Sequence, residues 1–229
     1  MHQDIGSDVS QWKVHRFFRA LHSGGLAMAA WAGLMLCDPV AAQPLSPISA
    51  TFAAPAAALV SSGPAGPTPA WMEFCAREPQ ECTVDVSEPA VLSFNQEFWL
   101  TILEVNERVN RAILAVTDQD HWGEVDRWDY PDDGLGDCED IQLLKRRLLI
   151  EAGLPRRALR IAVVIDEQGA GHAVLMVRTD QGEFILDNKR DAVLAWHETG
   201  YDYVKREGDE SAAWVWLGTQ VAPIITATR

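Results

Sequence analysis

The sequence has few basic residues, few cysteines and no long apolar run. Its 229 residues contain 19 lysines and arginines against 33 aspartates and glutamates, which gives a formal net charge of -14. Such a chain repels phosphate backbones, so nucleic-acid binding driven by counterion release is excluded. Four cysteines exclude a disulfide-knot scaffold, and 16 glycines with 12 prolines exclude a collagen-like chain. The 48% hydrophobic content and nine tryptophans instead indicate one ordinary globular domain.

The main apolar run near the N-terminus is too short to cross a bilayer. It covers Gly24–Leu36, about 13 residues, where roughly 20 are needed, so a transmembrane anchor is the weaker interpretation. Basic residues precede the run and the small residues Val40–Ala42 follow it, as in a secretory signal peptide. A lipoprotein signal at Cys37 is disfavoured because Leu36 is bulky. We therefore predict a signal peptide over residues 1–42 and a periplasmic location.

Composition divides the rest of the chain into a linker and a domain. Residues 43–70 are rich in Pro, Ala and Ser without a helical or strand period, which predicts a flexible linker. The folded domain is predicted to span residues 71–229. Early in it, Ser93–Gln96 resembles a capping box that opens a helix to about Ile113. Apolar residues at helical spacing predict the buried face of this helix: Phe98, Ile102, Val105 and Val109.

Three cysteines remain once the leader is removed, namely Cys75, Cys82 and Cys138. Disulfides persist in an exported protein, and an odd count leaves one cysteine outside them. Cys75 and Cys82 lie in a loop-like stretch where a turn at Pro79 can bring them to bridging distance, so we predict that they pair. Cys138 then keeps its thiol.

Cys138 stands directly before a segment with a helical pattern. Asp137 is predicted to be the N-cap, Asp140 occupies N3 as in a capping box, and Gly153 with Pro155 ends the helix. Unpaired N–H groups and the helix dipole favour a thiolate at the first helical position, but the adjacent carboxylates oppose it. A nucleophile therefore requires a basic partner such as histidine, and packing at a helix start is the alternative. The predicted apolar face comprises Ile141, Leu144, Leu148 and Ala152.

A predicted hairpin downstream offers that partner. Residues 172–179 and 182–188 read as strands joined at Asp180–Gln181. A two-residue loop there puts His172 and Asp187 on one face as diagonal neighbours, whereas a three-residue loop puts them on opposite faces. A carboxylate that accepts from one imidazole nitrogen fixes the tautomer and leaves the other nitrogen for a thiol. Taken singly, the two residues also fit a strand end and a turn.

With these residues in place, the chain resembles the bacterial transglutaminase-like cysteine proteinase family, whose best-known members are periplasmic proteases that release biofilm adhesins. The segments that carry the resemblance are Gly136–Asp140, Leu144–Leu148, Gly171–Leu175, Leu186–Asn188 and Thr199–Tyr201. The resemblance implies an α+β fold, papain-like or transglutaminase-like, with the nucleophile at a helix N-terminus packed on an antiparallel sheet. It makes Cys138 the nucleophile, His172 the general base and then acid, and Asp187 the orienting group.

Calcium is implied by the same resemblance. The adhesin-releasing members bind it through carboxylates beside the cysteine, which match Asp137 and Glu139, with Asp140 as a third candidate. The preceding loop is independently suited to a hard cation, although a solvated acidic face is the alternative. Its acidic residues are Asp118, Asp120, Glu124, Asp126, Asp129, Asp132 and Asp133.

The functional hypothesis is an exported cysteine endopeptidase that acts through a thioester. Its predicted partners are a protein substrate, such as a surface adhesin, and an inner-membrane receptor. The alternatives are amine transfer of the transglutaminase type and a non-catalytic, calcium-dependent periplasmic binding module. The N–H of Cys138 is a candidate oxyanion donor. For Trp122, Trp128 and Tyr130, packing under the acidic loop is favoured over a role in walling a substrate groove.

Overall fold

The computed structural model of this protein describes residues 58–210 and 213–217. The predicted signal peptide, residues 1–42, lies outside the described residues, as does the predicted linker up to residue 57. Among the described residues, no helix has the length and apolar content needed to cross a bilayer.

Helices dominate the first half of the described chain and strands the second half. The helices are α1 (Pro69–Arg77), α2 (Gln96–Ala112), α3 (Asp118–His121) and α4 (Cys138–Glu151). The strands are β1 (Gly63–Ala65), β2 (Leu114–Ala115), β3 (Leu135–Gly136), β4 (Leu159–Ile165), β5 (Gly171–Thr179), β6 (Gly182–Asp187), β7 (Arg190–Ala195), β8 (Asp202–Glu207) and β9 (Trp214–Trp216). Short 3-10 turns cover Pro79–Cys82, Arg156–Ala158 and Trp196–Glu198. This segregation of helices and strands confirms the predicted α+β class.

An antiparallel sheet forms the framework, in the order β1-β9-β8-β4-β5-β6-β7. The central strands β4 and β5 are buried almost throughout. One face belongs to the main core, which also contains residues of α1, α2 and α4. The other face packs against a smaller cluster that includes Tyr201 and Tyr203. Because both faces are covered, β4 and β5 read as nearly continuous apolar runs rather than alternating ones.

Helix α4 is buried on more sides than its sequence pattern predicts. It lies between β5 and α2, both of which it contacts. Ile141, Leu143 and Leu149 are fully buried, whereas Leu144 and Leu148 from the predicted face are half-buried. The predicted apolar face is therefore wrong in part, because a helix enclosed by two partners has no single buried stripe.

Two basic residues of α4 are also buried, and each has a polar partner far away in the sequence. Arg146 donates to Glu207 Oε2 at 2.6 Å, and Glu207 Oε1 accepts from Trp71 Nε1 at 3.0 Å. Lys145 Nζ donates to Asn106 Oδ1 at 2.8 Å. Buried charges require such partners, so these contacts fix α4 against α2, β8 and α1.

The N-terminal boundary of the domain differs from the prediction. Residues 63–65, assigned above to the linker, form the edge strand β1, which pairs with β9. Helix α1 also begins within the assigned linker, at Pro69, with Thr68 as its N-cap. The Pro- and Gly-rich composition of this segment predicted neither element. A three-residue edge strand such as β1 shows no apolar alternation in its sequence, because its partner strand supplies the hydrogen bonds.

Two local predictions can be compared directly with the structure. Cys75 and Cys82 form a disulfide with Cα atoms 5.7 Å apart, which confirms the predicted pairing. Helix α2 begins later than predicted: its N-cap is Asn95, whose Oδ1 accepts from Phe98 N at 2.8 Å. Asn95 is itself a preferred capping residue and lies closer to the first helical turn than Ser93 does.

Candidate active site

Cys138 is the first residue of α4, as predicted, and its thiol is buried. Asp137 occupies the N-cap position, but its side chain makes no capping hydrogen bond. The predicted capping box is therefore wrong at Asp137. The Asp140 carboxylate accepts from the backbone N–H of Asp137, which is the other half of the box, and also from the backbone N–H of Asp129 at 2.7 Å. The start of α4 is thus tied to the acidic loop that precedes it.

The surroundings of the thiol favour its ionised form. Burial raises the pKa of Cys138, but the hydrogen bond and charge of His172 outweigh that effect and hold the pKa below its ordinary value. Burial and neighbouring negative charge raise the pKa of Glu139 well above its ordinary value, so its carboxyl, whose Oε2 lies 3.0 Å from Sγ, can donate to the thiolate. Sγ also accepts from the backbone N–H of Ala173 at 3.4 Å. The required basic partner is therefore present, on the strand next to the helix start.

His172 and Asp187 meet because the hairpin has the shorter of the two predicted loops. Thr179 pairs with Gly182, so the loop is Asp180–Gln181, and of the two registers that the sequence left open the structure has the two-residue one. His172 Nε2 donates to Asp187 Oδ1 at 2.9 Å, so Nδ1 is the ring nitrogen that takes no part in that bond.

The contacts of this pair shift both of its pKa values. Burial lowers the pKa of His172, but the bonds to Asp187 and Cys138 raise it by a larger amount, so that the net value is about 9. Burial raises the pKa of Asp187, but the imidazolium and other donors bring it down to about 2. An anionic carboxylate next to a cationic imidazole is the charge distribution that supports a thiolate.

Five carboxylates converge beside the thiol and could hold a cation. Ligand atoms of Asp118, Asp137 and Asp140 lie within 4.8 Å of one another, as do those of Asp118, Asp126 and Glu139. The three predicted ligands are therefore brought together, and two residues of the acidic loop join them. Sequence reasoning noted Asp118 and Asp126 only as members of an acidic run. Spacing could not separate them from their neighbours.

Three other residues of the acidic run form ion pairs with arginines. Asp129 and Glu124 pair with Arg127, and Asp132 pairs with Arg147 at 3.2 Å. These side chains are partly or largely exposed, in contrast to Asp118. The run thus divides into a buried cluster and a solvated face.

The buried cluster lacks the donors that carboxylates need. Both oxygens of Asp137, Oε1 of Glu139 and Oδ1 of Asp118 have no hydrogen-bond partner in the described part of the chain. Burial and neighbouring negative charge raise the pKa of Asp137 to about 9, and burial raises that of Asp140 to about 8. Buried carboxylates are normally paired or coordinate a metal, so this donor set fits a hard divalent cation.

The aromatic residues near the loop differ in burial. Trp128 is fully buried and packs edge-on against Trp214, with ring centroids 6.2 Å apart. Tyr130 packs edge-on against Phe74 at 6.0 Å. The packing interpretation is confirmed for these two residues. Trp122 is 42% exposed and stacks on His121, so it is not part of the core.

Comparison with known proteins identifies the family to which this chain belongs. The sequence profile of the family described as bacterial transglutaminase-like cysteine proteinase matches residues 61–221. The chain belongs to this family. The proteinase is thus a transglutaminase-like cysteine peptidase, and the resemblance stated from its sequence is confirmed.

Solved structures similar to the proteinase come from Legionella pneumophila. Its LapG is 26% identical, with a TM-score of 0.45, and the match covers 52% of this chain and 68% of LapG. Calcium-bound LapG is 25% identical, with a TM-score of 0.45, over 55% of this chain and 72% of that one. EGTA-treated LapG gives the same identity and TM-score, over 53% and 68% of the two chains. No curated protein matches the proteinase.

Proposed function

We propose that the proteinase is an exported cysteine endopeptidase whose catalytic residues are Cys138, His172 and Asp187. One observation carries the proposal: a buried imidazole donates to a carboxylate at 2.9 Å and keeps its other nitrogen for a thiol at a helix N-terminus. Nucleophile, base and orienting group are thus supplied by α4, β5 and β6. This is the arrangement that acyl transfer through a thioester requires.

The chemistry follows from the protons that these groups hold. The Cys138 thiolate attacks the peptide carbonyl, and the imidazolium of His172 gives its proton to the departing amine as the C–N bond breaks. His172 then takes a proton from water, which attacks the thioester and releases the acid. Asp187 keeps the imidazole in one tautomer and stabilises its charged form. The N–H of Cys138, which has no intrahelical acceptor at this position, is our candidate donor to the oxyanion.

The calcium proposal is supported by buried carboxylate oxygens without donors. Asp137, Glu139 and Asp140, together with Asp118 and Asp126, would hold Ca²⁺. A bound cation would neutralise negative charge beside the thiolate. Asp118 is already oriented, since its Oδ2 accepts from the backbone N–H of Arg127.

The proposed substrate is a protein at the cell surface, such as an adhesin, reached in the periplasm after removal of the predicted signal peptide. An inner-membrane receptor is the proposed regulatory partner. These proposals rest on the family resemblance and on the leader pattern of residues 1–42.

The first test of this proposal is an assay of protein cleavage with and without calcium. Purified protein is incubated with surface proteins from the same cell, with calcium or with EGTA, and Cys138→Ala serves as the inactive reference. We expect cleavage that requires both Cys138 and calcium. Undiminished cleavage by Cys138→Ala would refute the assigned nucleophile. Amine incorporation without hydrolysis would favour the transglutaminase alternative, and no thiol-dependent reaction would favour the binding module.

Matched variants at the N-cap of α4 and in the acidic loop test the calcium site independently of catalysis. Calcium at a hundred times its dissociation constant stabilises the folded state by about 2.7 kcal/mol. Asp137→Asn should abolish the corresponding rise in melting temperature. Asp132→Asn is the control, because Asp132 is exposed and pairs with Arg147. Equal responses of the two variants would contradict the assigned ligands.

A further inference from the structure

Tyr201 contacts the carboxylate of the proposed triad from the side opposite His172. Its hydroxyl donates to Asp187 Oδ2 at 2.6 Å. The other oxygen, Oδ1, already accepts from His172 Nε2 at 2.9 Å and from the backbone N–H of Lys189 at 3.0 Å. Each oxygen of Asp187 therefore has its own donors, and the two sets lie on different elements.

The tyrosine hydroxyl has its proton direction fixed by a second neighbour. Arg190 donates to the Tyr201 hydroxyl at 2.9 Å, and its guanidinium lies 5.2 Å from the centroid of the tyrosine ring. Arginine offers donors only, so the hydroxyl oxygen must accept there and its proton must point to Asp187. Arg190 is itself held by Glu167 at 2.6 Å.

The ring of Tyr201 also borders the imidazole. The two rings are 5.9 Å apart and stand edge to face, at 85°. Tyr201 is 7% exposed, so this contact is shielded from water. One side chain thus touches both the general base and the group that orients it.

We propose that Tyr201 is a positioning residue of the catalytic machinery: its hydroxyl fixes the Asp187 carboxylate so that Oδ1 faces His172 Nε2. The inference rests on the proposed triad and extends it by one residue. Without the hydroxyl, the contact left to Oδ2 among the described residues is Arg190 Nε at 3.6 Å. A carboxylate held through one oxygen can turn about its Cβ–Cγ bond, and the imidazole then loses its alignment with the thiol.

The chain offers a matched control two residues away. Tyr203 is 8% exposed, similar to Tyr201. Its hydroxyl lies 3.2 Å from Thr199 Oγ1 instead of contacting Asp187. Tyr201→Phe and Tyr203→Phe therefore each remove one buried hydroxyl from the same region, and only the first removes a donor to the triad.

The experiment compares both variants with wild type in saturating calcium, with kcat and KM measured separately. We expect Tyr201→Phe to lower kcat on the order of 10-fold, with KM unchanged, as found when a group that orients an active-site ligand is lost. The kcat of Tyr203→Phe should stay within about twofold of the wild-type value, since the hydroxyl that this substitution removes contacts Thr199 and not the triad. Equal kcat values for the two variants would overturn the proposal.

A spectroscopic readout separates this inference from the triad itself. The His172 Nε2 proton, bonded to Asp187, should give a downfield ¹H resonance, assigned by its loss in His172→Gln. Tyr201→Phe should shift or broaden it and Tyr203→Phe should not; an unmoved resonance in Tyr201→Phe contradicts the positioning role. Full activity of Cys138→Ala or His172→Gln would instead refute the triad.

If Tyr201→Phe fails to fold, ¹⁹F spectra of protein labelled with 3-fluorotyrosine replace the measurements on that variant. Asp187→Asn must then shift the Tyr201 signal more than the Tyr203 signal.

Discussion

Replacement of Glu207 by glutamine tests how the helix that carries the cysteine is held. Glu207 is fully buried in β8, and its Oε2 accepts from Arg146 at 2.6 Å and from the backbone N–H of Ile161 at 3.0 Å. Glutamine keeps the shape and one acceptor but removes the charge. Arg146 is also fully buried, and within the described part of the chain its remaining ion pair would be the longer one with Glu81 at 3.6 Å.

The size of the effect follows from this burial. Removing one partner of a buried ion pair costs about 3–5 kcal/mol. Because Glu81 remains near Arg146, we expect the lower end, about 3 kcal/mol. Glu107→Gln is the control, since Glu107 and its partner Arg111 are 49% and 68% exposed, and such pairs contribute less than about 1 kcal/mol.

Urea unfolding followed by tryptophan fluorescence measures both variants. Trp71 donates to Glu207 at 3.0 Å, so a reporter lies beside the perturbed group. The arginines near Glu207 hold its pKa below the ordinary value of 4.5, so its stabilising effect is full above that pH and is lost as pH falls through the folded-state value. The difference between wild type and Glu207→Gln should shrink accordingly. A loss no larger than that of Glu107→Gln would refute the reasoning.

Three further predictions concern the triad, a buried lysine and the disulfide. Asp187→Asn should reduce kcat/KM on the order of a thousandfold, and the alkaline limb of the pH–rate profile should move down from about 9, the pKa of His172 that Asp187 helps to raise. Burial lowers the pKa of Lys145 from 10.5 to about 7. Unfolding therefore takes up a proton at Lys145 between those pH values, so the stability of wild type relative to Lys145→Met should rise by up to about 5 kcal/mol as pH rises through them. Urea unfolding of both proteins from pH 7 to 10 measures this difference, and a constant difference would contradict the lowered pKa of Lys145. Replacing Cys75 and Cys82 by serine should cost about 2.5 kcal/mol, read from the urea midpoint at unchanged slope.

Features set by neighbouring residues were predictable from the sequence. The start of α4 at Cys138 was predicted correctly, although Asp137 occupies the N-cap position without a side-chain capping bond. The hairpin was predicted with its loop length left open between two registers, and the structure has the two-residue loop Asp180–Gln181. Because register decides which face each side chain occupies, the short loop alone brings His172 to the same side as Asp187. The disulfide followed from cysteine count and spacing.

Features that depend on distant residues were not predictable. The burial of Lys145 and Arg146 requires Asn106 and Glu207, which are 39 and 61 residues away. A basic residue in a helix normally indicates a solvated face, and the local sequence pattern does not predict that such a residue has a buried polar partner elsewhere in the chain. The edge strand β1 likewise depends on β9, at the far end of the described chain. Which residues of the acidic loop belong to the buried carboxylate cluster also depends on how the loop packs against the start of α4.

The pairing of β1 with β9 determines where the domain can be joined to other sequences. Gly63 lies opposite Trp216, and Ser62 N donates to Trp216 O at 2.8 Å. The entry and exit of the described chain are thus side by side, and β8 and β4 separate this edge of the sheet from β5. A short bridge between these ends would suit a circular permutant reopened in an exposed turn. An affinity tag or fluorophore attached at the same edge would leave the strands of His172 and Asp187 uncovered.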